Sequence, residues 1–180
     1  MFLNIITPCS RPENLKEISK SINIPKDNYR WIVVYDSEIK MDSEFIPENC
    51  EMYNYKDTNS IVGNAQRNYA LDLIKEGHIY LNDDDTLIHP NLWKNIKDLK
   101  NDFICFQQLY KDGQPRLFLN IVQVGYIDSH NFIVSKDILG DTKFIINRYD
   151  ADGYFAQECF SKSKNSIYIP KPLSIYNQLR

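Results

Sequence analysis

The stretch that most constrains this chain is His78-Ile79-Tyr80-Leu81-Asn82-Asp83-Asp84-Asp85-Thr86. A short apolar run with strand content stops at three adjacent carboxylates. Crowded carboxylates repel one another, which raises their pKa and costs stability unless positive charge sits among them. If the chain stays extended past the run, Asp83 and Asp85 point to one side and Asp84 to the other. Hard divalent cations such as Mg2+ or Mn2+ favour oxygen ligands of this kind, and often share them with substrate phosphates. The competing reading is a solvated acidic turn. The apolar lead-in and the sequence on both sides favour a ligand site.

Upstream, Phe2 to Thr7 reads as a buried strand ended by Pro8. Ser10-Arg11-Pro12-Glu13 has capping-box spacing, with Ser10 as N-cap and Glu13 three residues on. Leu15, Ile18 and Ile22 then recur at helical spacing to about residue 22. Trp31-Ile32-Val33-Val34-Tyr35 is a second strand without alternation, as in a parallel sheet buried on both faces, and it ends at Asp36-Ser37. Strands ending in polar residues set those ends along one sheet edge, where α/β folds bind ligands. Residues 38 to 60 are polar and irregular, with a short strand at Cys50 to Tyr55. A helix follows from about Gly63 to Glu76, with Gly77 as the stop. Its Ala65, Tyr69, Leu73 and Ile74 cover the core. Asn64, Arg67 and Asn68 share another face, which reads as solvated.

Downstream, Pro90 to Leu99 predicts a helix. Phe103 to Tyr110 and Arg116 to Val124 predict strands joined around the turn Lys111-Asp112-Gly113-Gln114. Asn131 to Ser135 is a short strand, and Lys136 to Leu139 a helical turn closed by Gly140. Asp152 opens a helix to about Lys162 and is a candidate N-cap. Ser166 to Ile169 is the last strand, before a tail holding Pro170 and Pro172. There is no internal repeat, low-complexity segment or linker, and 180 residues suit one domain with a sizeable core.

Composition narrows the function classes. A formal charge of -3 with pI about 5.6 supplies no basic field for nucleic acid or an anionic membrane. No apolar run reaches the roughly 18 residues of a membrane span, and Phe2 to Thr7 is too short for a signal peptide. Cys9, Cys50, Cys105 and Cys159 lack CxxC spacing, which fits free thiols in a reducing compartment. The expectation is a soluble, cytoplasmic protein. His78, His89 and His130 share no helical spacing and make no metal triad. Each reads as structural, with His130 placed beside Asp128 to line a site.

Taken in order, four segments resemble GT-A-fold glycosyltransferases. These are Ile6-Thr7-Pro8 with Arg11-Pro12, Trp31 to Ser37, Gly63-Asn64-Ala65-Gln66-Arg67-Asn68-Tyr69-Ala70-Leu71, and Ile79 to Asp85. The nearest likeness is to the inverting β-glucuronyltransferases of proteoglycan synthesis, with a looser one to family-2 glycosyltransferases. Asp128-Ser129-His130-Asn131-Phe132-Ile133-Val134 is similar to the acceptor-side strand of that family, and Asp152-Gly153-Tyr154-Phe155 to the segment carrying its catalytic base.

The resemblance implies a single α/β GT-A domain with a mixed, mainly parallel sheet flanked by helices. Residues 1–86 would bind the nucleotide-sugar, favoured as a UDP-sugar, and residues 87–180 a glycan acceptor. Asp36 would bond the nucleotide base. The turn from Pro8 to Arg11 would lie under the nucleotide, Arg67 would help hold it, and Asp83 and Asp84 would reach the ribose. Asp85 would coordinate Mn2+ or Mg2+ bridging the diphosphate. Asp128 and His130 would face the acceptor, and Asp152 would deprotonate its hydroxyl. The sequence departs from the family in three ways. Asp152 stands where the family has Glu. No His occupies the region of Ile175-Tyr176-Asn177-Gln178, where Asn177, Lys171 or Arg180 are the candidate substitutes. The membrane anchor and stem of the animal enzymes are missing. Two further classes remain open. A sugar-phosphate nucleotidyltransferase would want a glycine-rich phosphate loop, and Thr7-Pro8-Cys9-Ser10-Arg11-Pro12 has no glycine. A non-catalytic nucleotide- or glycan-binding module would have little use for the Asp triplet beside Asp152.

Overall fold

The apolar runs become strands. In the computed structural model, which describes residues 1–117 and 120–180, these are β1 (Leu3–Cys9), β2 (Tyr29–Tyr35), β3 (Glu51–Asn54), β4 (His78–Leu81), β5 (Leu87–Ile88), β6 (Phe103–Leu109), β7 (Pro115–Leu117), β8 (Phe132–Ser135) and β9 (Ser166–Ile175). They form one mixed sheet in the order β3-β2-β1-β4-β8-β6-β9-β5, with β7 paired to β6. The ladders from β3 through β4 are all parallel. Strand β8 enters antiparallel to β4 and to β6, and β9 runs parallel to β6. Among the described residues five α-helices flank the sheet: α1 (Leu15–Ser21), α2 (Asn64–Asp72), α3 (Leu92–Ile96), α4 (Lys136–Leu139) and α5 (Ala151–Lys162).

Period-two alternation divides the core between the two faces. Leu3, Ile5, Trp31, Val33 and Tyr80 pack with Leu15 and Ile18 of α1 and Leu92 and Ile96 of α3. Ile6, Ile32, Val34, Ile79 and Leu81 pack with Ala70 and Leu71 of α2 and Phe155, Ala156 and Cys159 of α5. Each fully buried aliphatic or aromatic side chain contributes about 1.5–3 kcal/mol, so burial on both faces explains why these strands show no polar alternation. The Trp31 indole, inside this core, donates to Thr7 Oγ1 at 3.0 Å.

Several local expectations are corrected. Strand β1 continues through Pro8 to Cys9. Ile6 O accepts from Asn82 N, so the alternate residue Pro8 faces the same side, where pairing with β4 has already ended at Ile6. Its missing N–H therefore breaks no ladder. Strand β9 likewise runs through Pro170 and Pro172, because its register with β6 shifts between Phe106 and Gln107 and the prolines fall at that irregularity. Ser10 caps nothing: the chain enters a 3-10 turn at Pro12–Asn14 before α1. Helix α2 ends at Asp72, short of Glu76. The hairpin at Lys111–Gln114 closes as read, with Gly113 at φ 83°. The strand expected from Arg116 to Val124 survives only as β7. Phe118 and Leu119 lie outside the described residues, and residues 120–124 are not strand. No helix among the described residues is long and apolar enough to cross a membrane.

Candidate active site

Strands β1, β2 and β4 all end at one sheet edge, and a cavity of about 680 Å3 opens there. Pro8, Arg11, Asp36, Arg67, Asp83, Asp84, Asp85, Asp128, His130 and Asp152 all line it. Residues spread over most of the chain are brought together by the parallel half of the sheet and by the two segments that follow β7.

The Asp triplet is a tight turn and not an extended strand end: Thr86 N donates to Asp83 O at 3.1 Å. The expected alternation is therefore replaced: Asp83 turns to Arg67 and His130, while Asp84 and Asp85 share one nitrogen of the Arg11 guanidinium. Asp83 pairs with Arg67 and, at 3.0 Å, with His130 Nε2. Asp84 accepts from Ser10 Oγ at 2.8 Å and Arg11 N at 2.8 Å, and pairs with the Arg11 guanidinium. Asp85 Oδ2 meets Arg11 Nη1 at 3.0 Å and Arg180 Nε at 2.9 Å. Each carboxylate is thus compensated by cations of the chain itself, as buried charge requires. Burial would raise Asp83, but Arg67 and His130 outweigh it and hold the carboxyl well below its ordinary value. At Asp84 burial prevails over the Ser10 and Arg11 contacts, and its pKa is raised.

Arg67 and Asn64 do not form a solvated face. They are 4% and 2% exposed, because distant loops fold back over α2. Asn64 Nδ2 donates to Ile145 O and Arg148 O, and Asn68 bonds the backbone of Phe144 at both ends of its amide. Arg67 Nη1 in turn donates to Val62 O at 2.7 Å, which aims the guanidinium at Asp83. Val62 and Gly63 enter α2 with φ of 48° and 77°. A Cβ on Gly63 would lie 2.6 Å from Pro8 Cβ, so only glycine lets this turn close over the end of β1.

On the other side, Asp128 and His130 belong to the short turn before β8. His130 lies between two carboxylates, with Nδ1 at 2.5 Å from Asp128 Oδ1 and Nε2 on Asp83. Burial would lower the imidazole pKa, but the two carboxylates push it up to about 10. Asp128 is held down to about 2 against the cost of burial, chiefly by His130 and Arg116. Arg116 Nη1 meets Asp128 Oδ2 at 2.8 Å, and its guanidinium stacks 3.7 Å over the Tyr176 ring. Both Asp128 and His130 are spent on this internal network.

Asp152 occupies the first turn of α5, whose N-cap position is Asp150. It caps no helix; its Oδ1 accepts from Gly153 N at 2.8 Å. Burial, and then the charge of Asp128, raise its pKa to about 6. Unlike Asp83, Asp84, Asp85 and Asp128, it has no guanidinium or imidazole ion-pair partner among the described residues, which leaves its carboxylate available to a proton. Gly153 permits close packing here, since a Cβ would meet Val124 Cα at 2.7 Å. Asp36 Oδ1 accepts from Glu38 N at 3.0 Å at the end of β2. Sequence reasoning gave no role to Arg116 or Tyr176, and no local pattern marks either. It had Ser10 as a cap and Lys171 as a candidate near the diphosphate. Ser10 holds Asp84, and Lys171 Nζ meets Asn95 Oδ1 instead.

No three His, Cys, Asp or Glu side chains among the described residues enclose a metal ion by themselves. All three carboxylates of the triplet line the cavity, and Asp85 is held by Arg11 and Arg180 just as Asp83 and Asp84 are held by Arg67 and Arg11. Of the three, Asp85 is the buried one with an exposed, displaceable partner, Arg180. That donor set suits an ion taking one protein carboxylate and completing its shell with diphosphate oxygens and water, the habit of Mg2+.

No protein-family model and no curated protein sequence matches the chain. Solved structures do. Residues 1–349 of S. aureus TarS superpose with TM-score 0.80 at 16% identity, over 97% of this chain and 60% of that one. The same protein in complex with UDP-GlcNAc gives TM-score 0.77 at 18% identity, over 97% and 58%. The mannosyltransferase PcManGT from Pyrobaculum calidifontis, in complex with GDP-Man and Mn2+, gives 0.71 at 13%, over 97% and 56%. The chain spans 56% to 60% of the length of these structures. At such identities the likeness is one of architecture, and the architecture is the GT-A-like fold of glycosyltransferases.

Proposed function

We propose that this chain transfers a sugar from a nucleoside-diphosphate sugar, favoured as a UDP-sugar, to a hydroxyl of a glycan acceptor, with a divalent metal and with inversion. The observation that carries the reading is one cavity lined both by the half-buried Asp152, raised to about 6, and by the Asp83–Asp85 turn, together with Arg67 and Asp128. A base with that pKa is ionised at neutral pH yet ready to accept a proton from a hydroxyl, provided the acceptor comes within hydrogen-bond reach. The fold shared with TarS, solved with UDP-GlcNAc, and with PcManGT, solved with GDP-Man and Mn2+, supports the same class of donor.

In this reading residues 1–86 serve the donor and residues 87–180 the acceptor. Asp36 receives the base, the turn from Pro8 to Arg11 and Arg67 hold the nucleotide, and Asp83 and Asp84 hold the ribose. Asp85 is the protein ligand to Mn2+ or Mg2+, which when bound neutralises charge on the leaving diphosphate. Asp128 and His130 shape the acceptor side by fixing the wall against which Asp152 works. Direct displacement by the deprotonated hydroxyl gives inversion at the sugar carbon.

The test is donor turnover with UDP-sugars, followed by release of UDP in the presence and absence of Mn2+. Metal-dependent release that Asp152→Asn lowers by about 100-fold or more fits a general base. Release unaffected by Asp152→Asn contradicts the assignment of the base, and no release from any nucleotide-sugar contradicts the transferase reading.

A further inference from the structure

The turn that follows β9 lies against the Asp turn and is tied to it by backbone. Tyr176 N donates to Leu109 O at 2.8 Å, and Leu179 N to Asp85 O at 3.0 Å. Asn177 takes φ 49° to make the bend. Lys111 Nζ adds a bond to Arg180 O at 3.1 Å. The bend brings Arg180 Nε to 2.9 Å from Asp85 Oδ2, the same oxygen that Arg11 Nη1 meets at 3.0 Å. The two partners of this ion pair are unequal. The Asp85 side chain is 6% exposed and the Arg180 side chain 58%, so the carboxylate is fixed and the guanidinium hangs at the cavity mouth. Among the described residues, Arg180 touches no other carboxylate.

Asp85 cannot hold this arrangement and a dication together without cost. A guanidinium on the same oxygen repels an arriving ion at short range, and partial burial weakens screening there. A diphosphate offers the displaced guanidinium pairs of acceptor oxygens that its planar fork binds bidentately. We infer that Arg180 is an exchange residue: it neutralises Asp85 while the site is empty and passes to the diphosphate when metal and donor enter. This rests on the donor reading above and adds Arg180 to its diphosphate-binding residues. The leaving nucleoside diphosphate would then depart from a guanidinium that has Asp85 to return to.

The two halves of the exchange predict effects of opposite sign, which a purely structural Arg180 does not. Mn2+ alone is titrated against wild type, Arg180→Ala and Arg180→Lys, with free ion followed by electron paramagnetic resonance. UDP is then titrated calorimetrically in saturating Mn2+. Arg180→Ala should bind Mn2+ alone about threefold or more tightly, since a competing cation is gone, and UDP about tenfold more weakly, since a charge-assisted bond is lost. Arg180→Lys should keep the weak Mn2+ binding and recover part of the UDP affinity. Two responses in the same direction, or no response in either, overturn the exchange while leaving UDP binding by the wild type intact. Failure of the wild type itself to bind UDP removes the donor reading, and the exchange with it.

Discussion

His130 Nε2 lies 3.0 Å from Asp83 Oδ2 while its Nδ1 lies 2.5 Å from Asp128 Oδ1. One buried imidazolium therefore joins the turn after β4 to the turn before β8, the two walls of the cavity. Without it, the half-buried Asp83 and Asp128 keep Arg67 and Arg116 but lose the charge that lies between them. Replacing His130 by Gln should cost about 1–3 kcal/mol at pH 6, since charge-assisted contacts are lost while each carboxylate keeps its arginine. Denaturant unfolding measures this.

The same network sets a pH dependence. His130 is raised from 6.5 to about 10, so its contribution is complete below pH 6.5 and lost as pH rises through about 10. Asp83 and Asp128 are depressed, so theirs is complete above the ordinary carboxylate range and lost as pH falls toward 2. Stability should be greatest between roughly pH 4.5 and 6.5 as far as this network decides it. The difference between wild type and His130→Gln should shrink from pH 6.5 to 10. A gap that stays constant over that interval contradicts a charged His130.

Asp152 should trade stability for activity. Its folded pKa of about 6 stands above the ordinary 3.8, so folding is favoured below pH 3.8 and this advantage is lost as pH rises through 6. At pH 7 the ionised carboxylate is a net cost. Asp152→Asn should therefore raise stability by about 1–3 kcal/mol at pH 7 while abolishing transfer, and wild-type kcat/KM should fall below pH 6. Equal stability of the two proteins at pH 7 would deny that the carboxylate is held in an unfavourable site.

How much of this was legible in the sequence differs by element. The strands β1, β2 and β4 announced themselves because apolar runs end abruptly in polar residues, and burial on both faces removes the alternation. Gathering Asp36, Asp83–Asp85 and Asp152 at one edge follows from parallel topology plus the family resemblance. The solvated reading of Asn64, Arg67 and Asn68 failed because the groups covering them come from residues 144–148, some 80 positions away. No local pattern encodes that cover. The alternation expected of an extended Asp triplet fails because a turn bond from Thr86 to Asp83 brings Asp84 and Asp85 to the same guanidinium and leaves Asp83 to face Arg67 and His130. Arg116 and Tyr176 meet only in the folded chain.

Gly63 packs the start of α2 against Pro8 at the end of β1. Gly63→Ala should cost about 1–3 kcal/mol, through a positive φ of 77° and contact with Pro8. It should also weaken nucleotide binding, because relief of the clash moves the turn that aims Arg67. Thermal unfolding and UDP titration on one sample check both. Full stability with unchanged affinity would contradict the close approach.

The most direct measurement is calorimetric titration of UDP, GDP and dTDP into wild type and Asp85→Asn, with and without Mn2+. The account expects one nucleotide, favoured as UDP, to bind wild type in a metal-dependent manner, and Asp85→Asn to lose most of that dependence. Binding of no nucleotide under any condition contradicts it.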